Sequence, residues 1–250
     1  MGKGGFSIKV FPAEESNYTD IGRKRTNEMS YELKSARYLA REVLEKAVQA
    51  GDTVIDATMG NGHDTLTLCE AVGPEGRVYA FDIQKEAAEE TEKLLQNHGV
   101  GERAILINAG HEHMKEYVKE PVSAVVFNLG WLPGGDHSIT TRWETTFRAV
   151  QAALERLRPG GVLVICAYPG HAEGDRERKE LAGFLSGLDN REYNVLRQQF
   201  MNANAGAPEC FVVQKNRDFK VVSRFPDMME SAGGPAQRFD ERRQRTCLGK

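Results

Sequence analysis

Apolar residues first recur at helical spacing, at Leu33, Ala36, Ala40, Val43, Leu44 and Ala47. This is the stripe of a helix with one buried face, and Gly51 and Asp52 stop it. The pattern then changes to short, nearly unbroken apolar runs: "TVIDAT", "RVYAFDI" (77–83), "AILINAG" (104–110), "AVVFNLG" (124–130) and "GVLVICAYP" (161–169). Charged or amphipathic segments over about 85–97 and 143–157 read as helices between them. Strands without polar alternation fit a parallel sheet covered on both faces. Five such runs in succession predict a doubly wound α/β fold. The last two runs, "YNVLRQQFMN" and "ECFVVQKN", are separated only by "ANAGAP". That connection is too short for a crossover helix, so the two are predicted to pair antiparallel as a hairpin.

A chain of 250 residues, 40% hydrophobic and 28% charged, has enough material for one sizeable core. The flanks differ from the middle. Residues 1–28 are polar and aperiodic, with Arg23, Lys24 and Arg25 clustered, and read as a flexible extension; 29–216 form the main domain. Residues 217–250 lose the hydrophobic pattern and end in a basic stretch with Arg238, Arg242, Arg243, Arg245 and Lys250, a solvated tail or an RNA-contacting arm. The net charge of −3 gives no global attraction to nucleic acid. Cys69, Cys166, Cys210 and Cys247 form no CxxC pair, which argues against a zinc knuckle and a disulfide framework. No apolar run suits a membrane span, and the N-terminus lacks signal-peptide and myristoylation patterns, so the expectation is a cytoplasmic protein.

The turn after the first predicted strand, "DATMGNGHDT", holds Gly60 and Gly62. In doubly wound sheets ligands sit at the carboxyl ends of the strands, and glycines let the backbone approach them. Asp82 ends the second strand, where a carboxylate accepts hydrogen bonds from both ribose hydroxyls. Glycine turn and acidic strand end together read as an adenosine site. A dinucleotide loop wants a third small residue where Thr65 stands, and Asp56 would repel a pyrophosphate but attract the ammonium of a methionine moiety. S-adenosylmethionine is therefore favoured over a nicotinamide cofactor, with an NAD-dependent oxidoreductase as the alternative.

"DATMGNGHDT", "VYAFDIQ", "FNLGWLPGGDHSITT", "ETT" and "YPGH" together resemble the class I methyltransferase family called MnmM, the YtqB-like proteins long labelled rRNA methylases. The similarity covers about residues 33–216. It implies a Rossmann-like, mostly parallel seven-stranded sheet and conversion of 5-aminomethyluridine to 5-methylaminomethyluridine at the tRNA wobble position. It also implies that Gly60, Asn61, Gly62 and His63 wrap the cofactor, with Asp82 on its ribose, Gln84 beside it, and Gly110 and His111 at the adenine. Asn128, in "FNLG", falls where related enzymes place the residue that accepts a hydrogen bond from the target amine. The partner implied is a tRNA anticodon loop; rRNA or a small amine is the alternative substrate. Monomer and homodimer are both compatible with the sequence.

Asp136 and His137, in "PGGDH", are candidates for proton acceptance or substrate orientation. The same residues also fit a glycine turn capped by Asp136. Trp131, Arg142 and Tyr168 are candidates for the RNA base, on which an aromatic ring would stack; Trp131 and Trp143, each taken alone, read first as packing residues. His63, His111, His137 and His171 all follow strand ends and should share one rim, but no cysteine or carboxylate set completes a metal site there. His98, in "NHG", reads as a surface cap.

Overall fold

The computed structural model describes residues 35–132, 134–204 and 206–217; the N- and C-terminal segments assigned above to a flexible extension and a basic tail lie outside them. The chain divides at Glu32/Leu33 into two units, and only the second is described here. It opens with α1 (Ala36–Ala47) and alternates through β1 (Thr53–Asp56), α2 (His63–Val72), β2 (Arg77–Asp82), α3 (Lys85–Asn97) and β3 (Ala104–Asn108). It continues with α4 (Met114–Tyr117), β4 (Val122–Leu129), α5 (Trp143–Arg156), β5 (Leu157–Ala167) and α6 (Ala172–Ser186). The last two strands are β6 (Tyr193–Gln198) and β7 (Glu209–Lys215).

Seven strands form one sheet in the order β3-β2-β1-β4-β5-β7-β6. The first five run parallel, while β7 pairs antiparallel with both β5 and β6. The predicted hairpin is present, and β7 inserts between β5 and β6. Strand β5 begins at Leu157, earlier than the apolar run at 161: Leu157 pairs with Val122, and the register with β4 shifts before Ala124.

The unbroken apolar runs resolve into two alternating faces, because successive side chains of a strand point to opposite sides. Ile55, Val125, Phe127, Leu163 and Ile165 pack under α5 and α6. Val54, Ala124, Val126, Val162 and Val164 pack under α1, α2 and α3. The strands are apolar throughout because both faces are covered. Strand order reverses between β1, which leads on to β2, and β4 on its other side. At such a point the connections leave on opposite faces and open a crevice at the carboxyl ends.

Candidate functional site

A cavity of about 760 Å³ fills that crevice, within the range of small-molecule sites. Its walls come from the ends of five strands: Ala57–Gly60 after β1, Asp82 and Gln84 at β2, Gly110 and His111 after β3, Asn128–Trp131 at β4, and Tyr168 after β5.

One pole is built from the β1–α2 turn. Gly60 and Gly62 have φ of +50° and +79°, a region that costs a residue with a Cβ. A Cβ at Gly62 would stand 2.7 Å from Thr91 Oγ1, so α3 packs directly on the turn. Thr91 Oγ1 donates to Gly60 O (3.1 Å). Asp82 fixes the turn from the other side, its carboxylate accepting from the Gly60 and Gln84 amides at 3.0 and 2.9 Å. Burial raises the pKa of Asp82, opposed by these backbone bonds. With two lone pairs on each oxygen, the Asp82 carboxylate retains room to accept from an external donor. His111 is buried, its Nδ1 3.2 Å from Ala57 O and its ring edge-on to Phe127; burial lowers its pKa, favouring a neutral ring against the cavity.

Asp56 does not reach the cavity wall. It is 0% exposed, accepting from Thr65 Oγ1 (2.7 Å) and the Thr58 amide (3.2 Å). Burial first, then the charge of Asp64, raises its pKa from 3.8 to about 7. A carboxylate that does line the cavity near Asn128 is Asp64, in the first turn of α2. Its Oδ1 pairs with Arg37 Nη2 of α1 at 2.9 Å, and its Oδ2 accepts from Asn128 Nδ2 at 2.7 Å. The sequence reading missed both Asp64 and Arg37. An acid in a helix's first turn was the available signal for Asp64; Arg37 stands 27 positions away and gave none.

Asn128 is held at two points, its amide donating to Thr58 Oγ1 (2.7 Å) and its Nδ2 to Asp64. A carboxylate only accepts, so the amide nitrogen of Asn128 must face Asp64. Oδ1 is then the atom left to accept a hydrogen bond at the cavity.

Beyond Asn128 the chain makes the excursion from Gly130 to Arg142. It closes where Thr141 N–H donates to Gly130 O (3.0 Å) and Trp131 bridges to Thr140. Trp131 lines the cavity, and its ring is packed by two imidazoles, stacked with His137 at 4.4 Å and tilted against His171 at 4.3 Å between centroids. A base stacking on it would compete with these imidazoles. Asp136 and His137 are exposed and outside the cavity. Asp136 accepts from the Ser138 amide (2.8 Å), a bond that holds its pKa below the usual carboxylate range; this is the capped turn. Arg142 and Tyr168 do line the cavity, and burial raises the Tyr168 pKa to about 12. Trp143 packs on Phe147 at 5.1 Å, against the core. His98 caps the end of α3, and His113 pairs with Glu116 away from the cavity. Among the described residues, no three His, Cys, Asp or Glu side chains are grouped to hold a metal ion, and no helix is long and apolar enough to cross a membrane.

The donor set fits an S-adenosyl group. A carboxylate stands at the end of β2 for a diol, a glycine turn allows close backbone approach, and the turn carries no positive side chain to hold a pyrophosphate. Comparison with known proteins agrees. Residues 78–214 match the family described as "Putative rRNA methylase". The chain is 43% identical over 180 residues to the chloroplastic tRNA (mnm(5)s(2)U34)-methyltransferase of Arabidopsis thaliana; the match spans 68% of this chain and 65% of that protein. A crystal structure of a "putative rRNA-methylase" from Clostridium thermocellum superposes with a TM-score of 0.73 at 40% identity, covering 74% of this chain and all of the other. A "putative methyltransferase" from Streptococcus mutans, solved in complex with SAH, gives a TM-score of 0.68 at 34% identity, covering 74% and 99%. The chain belongs to the "Putative rRNA methylase" family, the MnmM-like group of class I S-adenosylmethionine-dependent methyltransferases that its motifs resemble.

Proposed function

We propose that the protein methylates the amino group of 5-aminomethyluridine at wobble position 34 of tRNA, giving 5-methylaminomethyluridine. The observation that carries this reading is the Asp64–Asn128 pair, which presents a fixed amide oxygen at the crevice. The substrate class follows from the similarity to the Arabidopsis tRNA methyltransferase.

Bound S-adenosylmethionine supplies a methyl group activated on a sulfonium. The chain's own residues position and stabilise. Asp82, Gly60 and His111 form the adenosine side, with Asn61, His63, Gln84 and Gly110 on the same wall. Asn128 Oδ1 accepts a hydrogen bond from the target amine, which turns the nitrogen lone pair inward. A neutral amine held this way gains most of its advantage from orientation. As the nitrogen becomes cationic, Asn128 Oδ1 stabilises it, and Asp64 strengthens that oxygen by drawing on the amide N–H behind it. The uridine lies toward Arg142 and Tyr168, which line the cavity, since Trp131 already packs against two imidazoles. A wobble base is already in a single-stranded loop, so little unpairing is needed to bring it there.

The test is incubation of the purified protein with S-adenosylmethionine and tRNA bearing 5-aminomethyluridine, followed by nucleoside mass spectrometry. The expected product is that nucleoside carrying one added methyl. An unchanged aminomethyl nucleoside, with methyl transfer to rRNA or a free amine instead, would refute the assignment.

A further inference from the structure

Outside the contacts just described, α6 carries a buried acid with no assigned work. Glu177 is 1% exposed and forms no ion pair among the described residues. Its carboxylate accepts two hydroxyl bonds, from Thr146 Oγ1 at 2.5 Å and Thr141 Oγ1 at 2.8 Å. Thr146 belongs to the first turn of α5; Thr141 belongs to the excursion that walls the cavity. Thr141 Oγ1 in turn accepts from the Gly130 amide at 2.8 Å.

We propose that Glu177 is a positioning residue for the acceptor side of the site, fixing the Gly130 peptide through Thr141 and thereby the bend between Asn128 and Trp131. The argument is one of hydrogen-bond direction. A carboxylate cannot donate, so the Thr141 hydroxyl must spend its single proton on Glu177 and offer its lone pairs to Gly130 N–H. The relay Gly130 N–H to Thr141 to Glu177 therefore has one polarity and leaves the peptide before Gly130 one orientation. Gly130 has a φ of +136°, a conformation without a Cβ to stabilise it locally, so the restraint must come from such contacts.

A purely structural role would be filled at lower cost by a neutral side chain. An unpaired buried carboxylate carries a desolvation penalty; burial raises the Glu177 pKa, and the charges of Glu173 and Glu144 push the same way. A glutamine has the same shape but a single acceptor oxygen, so it can hold the Thr146 or the Thr141 hydroxyl but not both, and the short Thr146 contact competes for it. Thr146 supplies an internal control, since it binds the same carboxylate without touching Gly130.

The test compares Glu177→Gln, Thr141→Val, Thr141→Ser and Thr146→Val. Four readouts are used: NMR amide exchange at Gly130, melting temperature, S-adenosylhomocysteine affinity by calorimetry, and turnover on aminomethyl-tRNA. The turnover arm rests on the tRNA reading above; the exchange arm does not. Glu177→Gln and Thr141→Val should speed Gly130 exchange and lower kcat by about tenfold, the scale of one lost hydrogen bond. S-adenosylhomocysteine affinity should hold, and the Glu177→Gln melting temperature should be no lower. Thr141→Ser should restore both exchange and turnover, and Thr146→Val should leave them unchanged. Unaltered Gly130 exchange in Glu177→Gln would overturn the proposal. So would parallel loss of melting temperature, cofactor affinity and turnover, which marks an ordinary packing residue. If the wild-type protein leaves aminomethyl-tRNA unmethylated, the tRNA reading alone fails, and the exchange result decides the role of Glu177.

Discussion

Asp56→Asn should make the protein more stable at neutral and alkaline pH while weakening it in acid. Asp56 is sealed beneath the cofactor turn, and burial with the nearby charge of Asp64 raises its pKa from 3.8 to about 7. Because the folded state holds this proton more tightly than the unfolded state does, stability falls as pH rises between those two values. Above pH 7 the folded protein bears the whole cost, roughly 4 kcal/mol at about 1.4 kcal/mol per decade of proton affinity. Below pH 4 it bears none. Asparagine removes the titration. It keeps an acceptor for the Thr58 amide but turns its nitrogen toward Thr65 Oγ1, now bonded at 2.7 Å, at a loss of about 1–2 kcal/mol. The balance is a gain of about 2–3 kcal/mol at pH 8, or roughly 5–10 °C for a domain of this size, and a net loss at pH 4. Melting curves of the two proteins between pH 4 and 9 are the assay, and their stabilities should cross. Parallel pH profiles, or a variant less stable at pH 8, would show that Asp56 is not held at a raised pKa.

Three further outcomes are expected. Asp82→Ala should weaken S-adenosylhomocysteine binding by about 1.5–3 kcal/mol and also lower stability, because its carboxylate anchors the Gly60 and Gln84 amides; calorimetry showing unchanged affinity in the folded variant would remove the ribose assignment. Asn128→Ala should lower single-turnover methylation about tenfold or more while cofactor affinity holds, and wild-type turnover would mean that the amine is oriented from elsewhere. Gly62→Ala should cost about 1–3 kcal/mol in urea denaturation, since its φ is +79° and the new Cβ would stand 2.7 Å from Thr91 Oγ1; an unshifted midpoint would refute the close packing of α3 on the turn.

The sheet was legible because its code is local. An apolar run such as "GVLVICA" needs no partner to be read as a doubly covered strand, and the short "ANAGAP" link dictates a hairpin by length alone. Helix α6 was not set out by the pattern. Its inward stripe is Gly174, Glu177, Leu181 and Leu185, correctly spaced but half of it without apolar character. The site divides in the same way. Glycines and Asp82 announce themselves by position after a strand, whereas the Asp64–Asn128 bond spans 64 positions and the Arg37–Asp64 pair 27. Asp136 and His137 were drawn toward chemistry by residue type, yet the turn that Asp136 caps leaves both exposed.

The closure at Gly130 and Thr141 bears on how this scaffold acquires new substrates. On the side of the crevice assigned to the cofactor, Asn128 is bonded to Thr58 and Asp64, and the Gly60 amide to Asp82. The excursion beyond is tied off at its own neck by the Thr141–Gly130 pair. A segment closed at its base can be lengthened or shortened with only a small entropic penalty, except where Leu132 packs near Gly60 and Trp131 on His171. The residues between 131 and 140 line part of the cavity without belonging to the Asp64–Asn128 or Asp82–Gly60 bonds. Grafting that segment between members of the family is the natural route to redirecting the enzyme.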